Sequence, residues 1–154
     1  MPIHSIHWKA FASGLDDEAV LCAAMTWLCC DFENVGVEKT TSFHGSPIHI
    51  ISADISKRGQ ARRALAHLGE KILQKIISGL EHRLDEENCV HFRLRISDLV
   101  CGQIVLAEPG EHRAVKGKVK LQVYPGDNPS EVAEILFREA IERAERMGFP
   151  QAVS

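Results

Sequence analysis

The side chains best suited to binding chemistry in this sequence are cations that recur at every second position. Three runs show this pattern, and their intervening positions are mostly apolar. The runs consist of His7, Lys9 and Phe11; of His91, Arg93 and Arg95; and of Lys116, Lys118, Lys120, Gln122 and Tyr124. Successive side chains of a β-strand point to opposite faces. Each run therefore predicts a strand with one apolar face and one basic face that carries no acid.

These residue types favour binding to a phosphate backbone. Lys and Arg neutralise phosphates and release their counterions, and an exposed Phe11 or Tyr124 could stack on a base, which is worth ~1–3 kcal/mol each. Like charges on neighbouring strands repel one another unless water or a polyanion screens them. Two alternatives stay open: lysines also protect sheet edges from aggregation, and Phe11 could lie beneath a loop.

A second basic block lies at the start of a predicted helix and also lacks acids. Its cations are Lys57, Arg58, Arg62 and Arg63. Helix N-termini bind phosphate through their free backbone amides, so this block is a second candidate phosphate contact. The alternative is an ordinary solvated helix face.

The sequence shows no pattern typical of catalysis or metal binding. It lacks H-E-x-x-H, G-x-S-x-G, P-loop and dinucleotide-binding glycine motifs. Its five cysteines include no C-x-x-C pair, which favours reduced thiols over a zinc site or a disulfide framework. An acidic cluster at residues 85–87 could support acid–base chemistry only in a shared cleft, and such a cluster in a loop is usually just solvated. We therefore expect no enzymatic activity, no cofactor and no metal.

Length and composition indicate one globular domain. The chain has 154 residues, of which 45% are hydrophobic and 25% charged, with a formal net charge of −3. These values argue against a disordered chain. No segment approaches the ~20 apolar residues of a membrane span, and the N-terminus lacks a secretory signal. We expect a single domain over residues 1–154 in the cytoplasm, without membrane association.

Hydrophobic periodicity predicts the elements that would position the basic residues. The predicted strands are 2–13, 35–43, 47–55, 89–97, 99–107 and 113–124, and the predicted helices are 16–29, 57–84 and 129–147. Asn128 as the cap with Pro129 at the first helical position begins the last helix, and Gly148 ends it. Gly69 or Ser78-Gly79 would kink or split the long second helix. Alternating strands imply a sheet with one covered face. The predicted fold class is α+β, a two-layer sandwich with a mostly antiparallel sheet of about six strands, covered on one face by three or four helices.

Three short motifs resemble a small archaeal family of RNA-binding proteins that are described as predicted exosome subunits. The motifs are Phe43-His44-Gly45-Ser46-Pro47-Ile48, Arg83-Leu84-Asp85-Glu86 before a strand with Phe92-Arg93, and Val119-Lys120-Leu121-Gln122-Val123-Tyr124-Pro125. They keep the family's order over roughly residues 3–145. Ser46 replaces the usual Asn, and Ser97-Asp98 stand where the family has a tripeptide with a Lys.

The resemblance implies a fold like that of large-subunit ribosomal protein five, also described as double-stranded-RNA-binding-domain-like. It further implies an association with archaeal RNA processing or the exosome, and it transfers no catalytic residue. His44 falls within the first motif and becomes a candidate contact, whereas Gly45 and Pro47 suit a tight turn.

The combined prediction is a non-enzymatic RNA-binding protein, linked to archaeal RNA processing or the exosome, that holds the phosphate backbone on a basic open sheet face. The candidate RNA contacts are Lys9, His91, Arg93, Arg95, Lys116, Lys118, Lys120, Tyr124, Lys57, Arg58, Arg62, Arg63 and His44. One alternative is a protein-interaction subunit that docks an acidic partner on the same face. A less favoured alternative is a metal-dependent hydrolase that uses residues 85–87. The sequence does not decide between single-stranded and double-stranded RNA.

Overall fold

The computed structural model describes residues 3–13, 17–30, 35–41, 45–111 and 113–149, and within them it forms five strands and six helices. The strands are β1 (Ile3–Ser13), β2 (Gly36–Thr41), β3 (Pro47–Ile55), β4 (Cys89–Arg95) and β5 (Ala114–Leu121). The helices are α1 (Glu18–Leu28), α2 (Arg58–Ala66), α3 (Glu70–Ser78), α4 (Leu80–Arg83), α5 (Ile96–Leu99) and α6 (Pro129–Met147).

The strands form one antiparallel sheet in the order β2-β3-β1-β5-β4. The longest strand, β1, lies at its centre, where Trp8 is opposite Ala53 of β3 and Gly117 of β5. The helices supply the second layer on the apolar face of the sheet, and the other face is open. The predicted α+β two-layer sandwich is therefore confirmed.

The core lies between the sheet and the helices, and a glycine makes room for its largest ring. Trp8 is fully buried and packs edge-to-face on Phe92, with the ring centroids 5.4 Å apart. Both rings lie beside Gly117, the cross-strand partner of each residue. A Cβ atom at Gly117 would lie 2.6 Å from Trp8 and 2.8 Å from Phe92. The absence of a side chain at this position therefore allows the two rings to meet.

The last helix begins and ends as its sequence predicts. The Asn128 side chain accepts a hydrogen bond from the backbone N–H of Ser130, and Pro129 occupies the first helical position, where its missing N–H costs nothing. Gly148 ends the helix in the left-handed region, with φ of 66°. The predicted 57–84 helix splits at both suspected places, giving α2, α3 and α4.

The predicted strand at 99–107 is wrong, and the sheet has five strands rather than about six. The chain coils after α5: the Asp98 carbonyl accepts hydrogen bonds from the backbone N–H groups of Cys101 and Gln103, and Gly102 has a φ of 79°. Alternating apolar residues did not reveal this local turn. Residues 105–107 make only two backbone hydrogen bonds to the outer edge of β4. They cover part of that edge without forming a strand.

Candidate nucleic-acid interface

Two rows of side chains cross the open face of the sheet. In the first row, Lys9 of β1, Lys116 of β5 and Arg93 of β4 are cross-strand neighbours. In the second row, the neighbours are His7, Lys118 and His91 on the same three strands. Lys120 lies opposite Ser5, at the end of β5 beyond the second row. The strand pairing thus brings together residues that lie more than a hundred positions apart in sequence.

The lysines of this face are available to a ligand. Lys116, Lys118 and Lys120 are exposed, and Lys9 is half-buried. Within the described parts of the chain, no carboxylate forms an ion pair with any of these four ammonium groups. We call Lys9, Lys116, Lys118 and Lys120 the lysine grid. The grid is a concentration of positive charge that no carboxylate of the described residues pairs with.

Two arginines on the same face are bound by a neighbouring loop. Arg93 donates from Nη1 to the Glu111 carbonyl (2.6 Å) and from Nη2 to the Glu108 carbonyl (3.3 Å). Arg95 donates to both carboxylate oxygens of Glu111, at 3.0 and 2.7 Å. These bonds from Arg95 lower the pKa of Glu111. Both guanidinium groups thus hold the 108–111 loop and are less available to a polyanion than the lysines.

The histidines of the second row are paired with acids that lie beside the lysine grid. His7 contacts the carboxylate of Asp54 on β3. His91 Nε2 lies 2.5 Å from Asp85, and this hydrogen bond is the main reason why the pKa of Asp85 is lowered. The Asp85 carboxylate also accepts hydrogen bonds from the backbone N–H groups of Glu87 and Cys89. Asp85 of the 85–87 cluster therefore stabilises the turn before β4.

The expectation of a uniformly basic face holds for three strands and is wrong for the whole sheet. The expectation rested on the outward positions of β1, β4 and β5 alone, whereas β3 and β2 also contribute side chains to the open face. Asp54 lies opposite His7, and Glu38 of β2 lies opposite Ile50 of β3. Because strand order depends on tertiary pairing, the sequence pattern alone did not place these acids on the same face.

Phe11 lies at the border between the lysine grid and the apolar part of the open face. Its side chain is 46% exposed, so it is not covered by a loop. The ammonium groups of Lys9 and Lys116 lie 5.5 and 5.8 Å from its ring centroid, within cation–π range. On its other side, its cross-strand partner is the half-buried Ile50.

Tyr124 lies outside the sheet, because β5 ends three residues earlier, at Leu121. The ring is 60% exposed, and its hydroxyl accepts a hydrogen bond from the Gln122 side chain at 2.9 Å. Its backbone N–H donates to the Asp127 carboxylate at 3.1 Å. Tyr124 therefore belongs to the turn before α6.

The second basic block belongs to the helical layer. Lys57 and Arg58, at the start of α2, are exposed, while Arg62 and Arg63 are partly buried. The Arg63 guanidinium lies 5.6 Å from the ring centroid of Phe149. The structure thus does not bring this block together with the lysine grid on one face. The remaining candidate, His44, lies outside the described residues.

The described ranges contain no group of three His, Cys, Asp or Glu side chains that could hold a metal ion. They also contain no helix that is both long and apolar enough to cross a membrane.

Comparison with solved structures shows a shared fold. A DUF54 protein from Methanothermobacter thermautotrophicus is 23% identical, with a TM-score of 0.72 over 92% of this chain and 99% of that one. A protein from Archaeglobus fulgidus, of the DUF54 family model, is also 23% identical, with a TM-score of 0.73 over 90% and 99% of the two chains. A UPF0201 protein from Methanococcus jannaschii is 12% identical, with a TM-score of 0.58 over 86% and 98%.

The family comparison covers most of the sheet, including all three strands that carry the two rows. No curated protein sequence matches the chain. The family model described as RNA binding matches residues 5–124, which include every residue of the lysine grid. This match spans more than half of the chain, and the chain belongs to the RNA-binding family.

Proposed function

We propose that this protein binds RNA through the open face of its sheet and that the lysine grid contacts the phosphates. The observation that carries the proposal is the set of four lysines, Lys9, Lys116, Lys118 and Lys120, without a carboxylate partner among the described residues. Membership of the RNA-binding family supports the same partner. An acidic protein partner would meet the same charges and is the competing occupant.

The spacing of the grid suits a chain of phosphates. Alternate residues of a strand are about 6.5–7 Å apart, and neighbouring strands are about 4.8 Å apart. Lys116, Lys118 and Lys120 therefore form a line of charges along β5, with Lys9 beside Lys116 on β1. Their mutual repulsion weakens when a polyanion replaces the solvent counterions. A single nucleic-acid backbone can satisfy several of these ammonium groups at once.

The other predicted contacts have secondary roles in this proposal. His91 lies beside Lys118 and would contact the same backbone, whereas Arg93 and Arg95 position the 108–111 loop and add positive charge at the border. The cations Lys57, Arg58, Arg62 and Arg63 would contact RNA that passes from the sheet towards the helical layer. Tyr124 would contact RNA beyond the end of β5, and His44 is a further proposed contact.

We further propose a single RNA-binding domain that acts by binding alone, in archaeal RNA processing and in association with the exosome in the cytoplasm. Asp85 is the acid that the alternative hydrolase would need for catalysis. Its hydrogen bonds to His91 and to the backbone of the turn before β4 support a structural role instead. The structural neighbours come from archaea, which supports the archaeal part of this proposal. The acidic protein partner would instead be favoured if this protein failed to bind purified RNA and still pulled down a protein partner after nuclease treatment.

The test is an RNA titration across salt concentrations with a lysine variant. If the four grid lysines contact a single strand, the logarithm of the association constant falls with log salt at a slope of about −2.8. Replacement of Lys116, Lys118 and Lys120 by Ala should flatten this slope by about 2.

A matched variant keeps the change in charge and moves it off the face. Lys39, Lys71 and Lys75 are exposed; the first alternates to the helical side of β2, and the other two lie on α3. Replacement of these three by Ala should leave the slope unchanged. Equal slopes for the two triple variants would show that net charge alone attracts RNA, and the proposed face would be wrong.

A further inference from the structure

We infer that Phe11 is a base-stacking subsite at the border of the lysine grid and that the RNA bound there is single-stranded. This inference rests on the proposed function, because it names the form of RNA that the same face accepts. Its starting point is the position of the ring. The other aromatic rings of the described strands, Trp8 and Phe92, are 0% and 2% exposed, whereas Phe11 presents nearly half of its surface on the open face.

Exposure of a single apolar side chain is common and shows nothing by itself. What distinguishes Phe11 is the arrangement of its neighbours. Two ammonium groups lie over the ring, those of Lys9, which precedes Phe11 by two residues on β1, and of Lys116 on the neighbouring strand β5. The other neighbouring strand, β3, contributes Ile50 and Ile48, both half-buried on the open face. From β5 across β1 to β3 the open face therefore changes from cationic to apolar, and the exposed carboxylate of Glu38 on β2 lies beyond Ile50.

A nucleotide has matching chemistry on the same length scale. Its base has two apolar π-faces, and its phosphate carries the negative charge. A base on Phe11, with its edge towards Ile50, would leave its phosphate near Lys9 and Lys116. The backbone could then continue along Lys118 and Lys120, which follow Lys116 on β5. One continuous strand would thereby contact both the ring and the lysine grid.

This subsite selects single strands because a duplex offers a free base face only at its two ends. Paired bases are stacked on each other, and double-stranded RNA is recognised chiefly by its shape, phosphates and 2′-hydroxyls. Unpaired bases can be splayed out onto an aromatic ring, with a gain that depends little on base identity. Phe11 would consequently contribute to binding of single strands and contribute little to binding along the length of a duplex.

The experiment measures binding of an oligoadenylate single strand and of a blunt RNA duplex of equal length by fluorescence anisotropy. The Phe11→Leu variant, which loses one base stack, should bind the single strand about 5- to 150-fold more weakly than the unmodified protein. The salt slope should stay that of the unmodified protein, since no charge is removed. Phe11→Tyr, which keeps the ring, should restore the affinity. Duplex binding should be equal for all three proteins.

A matched control removes another exposed apolar side chain, Ile135 of α6, which is 53% exposed on the helical layer. Ile135→Ala should bind the single strand like the unmodified protein. Unchanged melting temperatures would confirm that the Phe11 variants are folded.

The outcomes separate this inference from the function on which it rests. Lysine-dependent binding with Phe11→Leu as tight as the unmodified protein would overturn the stacking subsite and leave RNA binding intact. A duplex bound as tightly as the single strand would overturn the preference for single strands. Absence of RNA binding, or binding that does not depend on the lysine grid, would overturn the proposed function itself. An abasic site in the oligoadenylate that weakens binding by the unmodified protein, but does not weaken binding by Phe11→Leu, would support the subsite directly.

Discussion

Replacement of Gly117 by Ala should destabilise the fold, and the reason lies in the ring pair on the inner face of β5. The added Cβ would lie 2.6 Å from Trp8 Cζ3 and 2.8 and 2.9 Å from Phe92 Cε2 and Cζ. These separations are far below ordinary van der Waals contact. Neither ring can move outward, since Trp8 is completely buried and Phe92 nearly so.

Such overpacking of a filled core costs about 1–3 kcal/mol. A protein of this size loses about 2–4 °C of melting temperature for each kcal/mol, so the variant should melt several degrees below the unmodified protein. Thermal unfolding followed by circular dichroism measures this shift, and urea unfolding gives the free energy of unfolding.

Gly59→Ala is the matched control, because the same methyl group is added where nothing lies within 4 Å. Gly59 is in α2, where Ala is favoured over Gly by up to about 1 kcal/mol, so this variant should be as stable as the unmodified protein or slightly more stable. Phe92→Leu should partly relieve the clash at position 117, which makes the two substitutions non-additive. A Gly117→Ala protein that melts at the unmodified temperature would refute this account of the core.

Two further predictions concern the helix cap and the acidic turn. Asn128→Ala removes the side-chain acceptor for the Ser130 N–H and should lower the free energy of unfolding by about 1 kcal/mol, as measured by urea unfolding. Asn128→Ser, which keeps a side-chain acceptor, should retain most of the stability of the unmodified protein. Hydrogen bonding, first from His91, lowers the pKa of Asp85, so the carboxylate stabilises the fold above its unfolded pKa of about 3.9. This stabilisation is lost as pH falls through the lower folded pKa. The stability difference between the unmodified protein and Asp85→Asn should therefore shrink as pH falls below about 4, and a difference independent of pH would contradict the assignment.

Local signals in the sequence predicted the parts of the fold that depend on neighbouring residues. The cap at Asn128 and the stop at Gly148 bounded the last helix correctly, because capping needs only a few adjacent residues. The alternation along β1 and β5 was also correct, since a strand with one buried face must repeat every two residues. The 99–107 segment was misread because its alternation resembles a strand while its hydrogen bonds close a turn at Gly102.

The rest of the site depends on contacts between distant residues, which no local pattern contains. Asp54 meets His7 across 47 positions, and the hydrogen bonds from Arg95 to Glu111 span 16. The sequence therefore placed the cations of β1, β4 and β5 on one face correctly but did not reveal which of them already bind other residues of the protein. Phe11 was recognised as a possible stacking residue, whereas its position between Lys116 and Ile50 follows only from the strand order.

The alternation along β5 separates the residues that determine surface charge from the residues that pack in the core. Lys116, Lys118 and Lys120 point to solvent, while the residues between them, Gly117 and Val119, lie in the interior. The charge of the outer surface can thus be raised or lowered by substitution while the packing beneath it stays the same.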